Sequence, residues 1–161
     1  MIENIQFKPV GIIRTPFKSK AGMPIQATGI KAAPGEIHIY PEFAAGIRDI
    51  EGFSHIFLIY YFHKVKTAKL TVIPFLDTLP RGVFATRAPA RPNPIGLSIV
   101  EIDRVVENVI HIKKIDVLDE TPLLDIKPFI PAVDTPTSPV RTGWLEKSAK
   151  NFPHKKSDNR F

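Results

Sequence analysis

Apolar positions along the chain come in short stretches that alternate with period two and favour Val, Ile, Phe and Tyr, the pattern of strands rather than helices. It predicts strands over residues 10–14, 36–40, 55–63, 69–73, 97–105, 109–117 and 123–127. Gly11 weakens the interior of the first. The run 56–62 is apolar at every position, so it is expected to be a central strand with both faces covered. In 109–117 the alternation changes phase across Lys113-Lys114: Ile110 and Ile112 share one face, Ile115 and Val117 the other, and a β-bulge there would return both sets to the core. A helix is expected over 41–50, where Phe43, Ile47 and Ile50 follow a proline at i, i+4 and i+7, and a weaker one over 142–150. The sixteen prolines fall mostly between these stretches. Residues 15–35 and 80–96 form two long irregular segments, of the kind that carry function. The fold class is all-β or β-dominated.

Composition narrows the picture. With 161 residues and 43% apolar content, one core is the expectation. Residues 1–20 hold no charged start followed by an apolar run, and no eighteen apolar residues run together, so a soluble, cytoplasmic protein without membrane contact is expected. The absence of cysteine excludes disulfides, a thiolate nucleophile and thiolate zinc sites. Five scattered histidines show no metal-ligand spacing, and no metal is expected. A net charge of +6 favours an anionic partner. Six basic residues against two acidic ones lie between Arg141 and Phe161, which reads equally as a solvated terminus or an RNA-contacting arm.

Three segments are candidates for chemistry. In 82–98, Pro89, Pro92 and Pro94 restrict the backbone, so that Arg87 and Arg91 are held in defined directions and Gly96 admits a close approach. Two preorganised guanidiniums suit a carboxylate or phosphate. A rigid surface connection with solvated arginines is the bland alternative. His63-Lys64 follow the apolar run and mark either a cleft mouth or the point where the strand meets water. His38 and His55 read as structural. Asp116, Asp119, Glu120 and Asp125 lie within ten residues of one another and could orient a ribose, neutralise a cationic cofactor or accept a proton, although 119–122 reads better as a turn. Asp125 and Lys127 share one strand face, opposite Leu124 and Ile126. Rossmann, P-loop, esterase and zincin motifs are all missing.

The run Phe84-Ala85-Thr86-Arg87 through Arg91-Pro92-Asn93-Pro94-Ile95-Gly96-Leu97-Ser98 resembles the signature of the TsaA-like domain family of TrmO-type tRNA (adenine-N6)-methyltransferases. Ordered matches at Gly11 to Pro16, Pro24-Ile25-Gln26, Gly35 to His38, Gly52 to His55, Phe62-His63, Asp119 to Pro122 and Leu124 to Pro128 extend the resemblance over roughly 7–135. It implies a single small β-barrel domain over 1–138 with one or two short helices, followed by a basic tail over 139–161. It also implies a homodimer that uses S-adenosyl-L-methionine to methylate the exocyclic amino group of a modified adenosine beside the tRNA anticodon. Carried onto this chain, the cofactor region comprises Gln26, Ala27, Thr28, His63, Lys64, Arg87, Leu97, Lys113, Lys114, Ile115 and Asp116. Asn93 and Asp125 are the expected catalytic residues, accepting hydrogen bonds from the substrate amino group, and Arg91 and Lys127 the expected substrate contacts. The chain departs from the family pattern at Ile25, where Arg is frequent, and at Lys64, where Gln is familiar. A non-catalytic RNA-binding barrel and an S-adenosyl-L-methionine-binding sensor remain as alternatives.

Overall fold

The computed structural model describes residues 4–19 and 33–146. Six strands, β1 (Gly11–Arg14), β2 (Gly35–Ile39), β3 (His55–Tyr61), β6 (Ile95–Val106), β7 (Val109–Lys113) and β8 (Thr121–Pro128), pair antiparallel in the order β1-β2-β7-β6-β3-β8. β8 pairs again with β1, through Gly11↔Leu123 and Ile13↔Thr121, so the sheet closes into a barrel and leaves no free edge in it. β4 (Thr71–Val72) and β5 (Arg81–Gly82) form a separate two-stranded sheet over a small cluster of Val72, Val83 and Ala88. No described helix is long and apolar enough to cross a membrane.

Period-two alternation places one residue in two inside the barrel. Ile13, Ile37, Ile39, Ile56, Leu58, Val100, Ile110, Ile112 and Leu123 fill it, each at 3% exposure or less, and full burial of such a side chain stabilises by about 1.5–3 kcal/mol. The apolar run on β3 does not have two equally covered faces. Ile56, Leu58 and Tyr60 are buried inside, whereas Phe57 and Ile59 on the outer wall are half-buried, Phe57 edge-on to Phe129. Gly11 is needed rather than merely tolerated: a Cβ there would sit 2.4 Å from the His38 carbonyl oxygen.

Four expectations are corrected. The phase change after β7 is made without a bulge: the strand ends at Lys113, and Lys114 adopts the left-handed conformation (φ 60°), which turns Ile115 and Val117 back into the core. Bulges occur instead where β6 carries Asp103 as an extra residue against β7, and where β8 carries Leu124 against β3. The helix over 41–50 is a 3-10 helix, Pro41–Ile47, although Phe43, Ile47 and Ile50 do pack on the core. The stretch 69–73 contributes only Thr71–Val72, outside the barrel and paired with β5, which the sequence pattern did not reveal. In the 142–150 stretch the described residues form a 3-10 turn, Gly143–Leu145; Trp144 there is half-buried, donating its indole N–H to the Ala85 carbonyl at 2.8 Å beneath Arg81.

Candidate functional site at one end of the barrel

Strand direction decides which connections meet. The C-terminal ends of β1, β3 and β7 and the N-terminal ends of β2, β6 and β8 lie at the same end, so the connections 15–34, 62–94 and 114–120 all emerge there. They carry His63, Lys64, Arg87, Arg91, Asn93, Lys114, Ile115 and Asp116, which lie far apart in sequence. Gln26, Ala27 and Thr28 belong to the first connection and lie outside the described residues.

The mouth is floored by a mixture of apolar and polar groups. Ile115, 1% exposed, packs beside Gly35, where a Cβ would approach its Cγ2 to 3.1 Å. Next to it the Ser98 hydroxyl donates to the Asp116 carboxylate at 2.7 Å and lies 3.0 Å from the Tyr60 hydroxyl. Burial first, and then the Asp116 charge, push the Tyr60 phenol well above its ordinary range, against smaller opposing contributions from the Ser98 hydrogen bond and the Arg87 guanidinium. Tyr60 therefore stays protonated, and Arg87, itself exposed, lies close enough for its charge to act on the buried ring. Gly96 matters here because a Cβ would stand 2.2 Å from Tyr60 Cε2. Tyr60 and Ser98 were missed in the sequence; the available signal was a lone serine at an inward position of β6.

His63 presents an unpaired acceptor. Burial, then the charge of Lys64, lower its pKa below the ordinary 6.5, so the ring is neutral. Thr121 uses its single hydroxyl proton on the Leu118 carbonyl at 2.7 Å. The 3.5 Å contact between Thr121 Oγ1 and His63 Nδ1 therefore needs the ring to donate. That tautomer leaves Nε2 as a lone-pair acceptor, and Nε2 is buried without a partner among the described residues.

The rim is braced by ion pairs and turns. Asp119 accepts from the Thr15 amide at 2.9 Å and pairs with Lys18 and Arg14. Burial opposes its ionisation, but these contacts outweigh it and hold the carboxyl below its ordinary value. Glu120 adopts φ 62°, so 119–120 is a turn as expected, while Thr121 and Pro122 open β8. His38 and His55 are satisfied by Glu36 (2.8 Å) and Ser54 (2.9 Å).

Other candidate residues point elsewhere. The Arg91 guanidinium turns into its own loop, with Nη2 donating to the Val83 and Thr86 carbonyls at 2.9 Å each and Nε buried without a partner among the described residues. Tight turns, Arg91 N–H to Pro89 and Ile95 N–H to Asn93, make this proline-rich segment stiff, and Asn93 stands exposed at its tip. Lys113 and Lys114 reach acids of β6: Lys113 to Asp103 at 2.8 Å, Lys114 to Glu101 at 3.1 Å. Leu97, Ile59 and Asp125 form one row across the outer wall of β6, β3 and β8, and Ile99, Phe57 and Lys127 the next. Asp125 and Lys127 pair there at 3.0 Å.

Residues 12–135 match the family described as the tRNA-methyltransferase O N-terminal domain. The chain is 48% identical over 157 residues to a probable S-adenosyl-L-methionine-binding protein of Pyrococcus abyssi, covering 98% of this chain and 85% of that one. It is 36% identical over 144 residues to a tRNA (adenine(37)-N6)-methyltransferase of Escherichia coli, covering 83% and 61%. A crystal structure of TrmO from Pseudomonas aeruginosa superposes with a TM-score of 0.73 at 34% identity, covering 88% of this chain and 62% of that one. The chain thus spans about three fifths of the length of the latter two.

Proposed function

The chain belongs to the tRNA-methyltransferase O N-terminal-domain family, and from that membership we propose that it binds S-adenosyl-L-methionine at the barrel mouth and methylates the exocyclic amino nitrogen of a modified adenosine next to a tRNA anticodon. The observation that supports this reading is a buried acceptor, His63 Nε2, without a partner among the described residues, at the end of the barrel where the connections 15–34, 62–94 and 114–120 emerge. Such an orphan fits a ligand rich in donors, as a nucleoside with an amino-acid arm is. When bound, the cofactor supplies an electrophilic methyl group on a sulfonium.

The protein's part is alignment and the exclusion of water. Arg87 at the rim offers a planar fork for the ligand's carboxylate. His63 accepts a hydrogen bond through Nε2, and Asp116 provides negative charge at the floor. Gln26, Ala27 and Thr28, which the family resemblance adds to the cofactor set, belong to the first connection. Arg91 acts through the loop, holding Arg87 and Asn93 in place. Asn93 at the lip accepts from the substrate amino group and orients its lone pair. Asp125, Lys127 and Leu97 face outward, and they join a site only if a second copy of the chain seats on this wall; we therefore propose a homodimer across Leu97, Ile59, Phe57 and Ile99. The basic charge of 141–161 is assigned to the phosphates of the RNA substrate, and the enzyme to the cytoplasm.

Mass spectrometry of nucleosides from tRNA incubated with the protein and isotope-labelled cofactor tests the transfer. A labelled methyladenosine derivative is the expected product; an unlabelled pool overturns the enzymatic reading. The second reading, a cofactor-binding protein without transfer, is favoured by the name of the Pyrococcus abyssi relative. It predicts calorimetric binding with no label in RNA.

A further inference from the structure

Three polar groups run from the barrel interior to its mouth. Tyr60 and Ser98 are 4% and 6% exposed, and Asp116 stands where the chain leaves the core. Because an ionised carboxylate only accepts, the Ser98 hydroxyl spends its one proton as donor to Asp116. The contact between Tyr60 and Ser98 is then made by the phenol donating. The order is one-way: phenol to hydroxyl to carboxylate. Two hydroxyls in a mostly apolar barrel interior are costly to bury unless bonded, and an apolar pair of similar shape would fill the space with no such requirement. The ring's place is also specified twice over, by the absence of a side chain at Gly96 and by the edge of Phe62, 5.4 Å from it centroid to centroid.

We infer that Tyr60 and Ser98 are positioning residues, a one-way hydroxyl chain that holds the Asp116 carboxylate at the mouth to receive the cationic group of the methyl donor. The inference rests on the proposed binding of S-adenosyl-L-methionine and adds residues to it. Register explains why these two serve: Tyr60 lies opposite Gly96 across β3 and β6, so the ring reaches over the glycine to Ser98, the next inward position.

Calorimetric titration of the full chain with S-adenosyl-L-methionine provides the test, because it reads binding without turnover. Tyr60→Phe and Ser98→Ala are each expected to weaken binding about tenfold, the scale of one lost hydrogen bond to a charged group. In an Asp116→Asn background the same changes are expected to alter affinity less than about twofold, since nothing charged remains to position. Ser98→Thr, which keeps the hydroxyl, is expected to retain binding. Equal losses in both backgrounds overturn the inference in favour of a purely structural role, as does full affinity in both single variants. Absence of binding by the unaltered chain overturns instead the reading on which the inference rests. A parallel titration with S-adenosyl-L-homocysteine, which lacks the sulfonium charge, locates the contact: a loss confined to S-adenosyl-L-methionine supports Asp116 at the sulfonium, and a loss shared by both ligands supports it at the ammonium.

Discussion

The two ends of the barrel are built from the same six strands and are finished differently. At the end away from the mouth, Phe43, Ile47 and Ile50 cap the core, and β6 turns into β7 through Glu107 and Asn108 alone. Glu107 takes φ 53°, and Asn108 donates its side-chain amide to the Ile39 carbonyl at 2.6 Å while its own carbonyl accepts from the Ile39 amide. At the mouth, Phe62, Ile115 and Val117 are interleaved with the Tyr60–Ser98–Asp116 chain and His63. Among the described residues, both buried side-chain atoms without a partner, His63 Nε2 and Arg91 Nε, belong to a mouth connection. An end that satisfies its own polar atoms needs nothing from outside. An end that leaves an acceptor buried and unpaired is arranged for something to arrive.

This contrast is broken most severely at two glycines. Gly11→Ala drives a Cβ against a backbone oxygen at the far end, and Gly96→Ala drives one into the Tyr60 ring at the mouth. Each is expected to cost about 1–3 kcal/mol in urea unfolding. Only Gly96→Ala is expected to weaken S-adenosyl-L-methionine binding as well, by about tenfold, as the ring leaves Ser98. Equal effects on binding would erase the distinction between the ends.

Next in size, Asn108→Ala is expected to destabilise by about 1–2 kcal/mol through the lost bond to Ile39, with calorimetric affinity unchanged. A smaller effect comes from pH. The folded His63 has a lowered pKa, so between that value and 6.5 the unfolded chain binds more protons. Its contribution to stability is full above 6.5, falls as pH drops towards the folded value, and is absent in His63→Gln. Urea midpoints of the two proteins should therefore converge on acidification. The smallest change is expected at the outer wall. Lys127→Ala breaks a pair whose side chains are 63% and 47% exposed, and its stability cost is about 0–1 kcal/mol. Methyl transfer into tRNA is expected to fall severalfold with cofactor affinity intact, which steady-state assays at two salt concentrations would read.

Much of this arrangement is legible in the sequence. Alternation is a local property, so the strand positions follow from which residues avoid water, and the stiffness of 82–98 follows from prolines that act on their own neighbours. The family signature 84–98 runs through one of the connections that the structure brings to one end, whereas Gly52 to His55 lies at the other end and Leu124 to Pro128 within β8. Other features depended on partners distant in the chain. The short strands β4 and β5 exist only through one another, and the 3-10 form of 41–47 is a matter of how it packs rather than of its apolar spacing. The bulge at Leu124 sets which way Leu124 and Asp125 face, and a bulge is a relation between strands. Tyr60 meets Ser98 from 38 positions away, and Ser98 meets Asp116 from 18. Sequence by itself determined the strands and the stiff arginine loop; closure and register decided which polar side chains share the mouth, because a hydrogen bond is fixed by where two strands stand and a hydrophobic pattern by each strand alone.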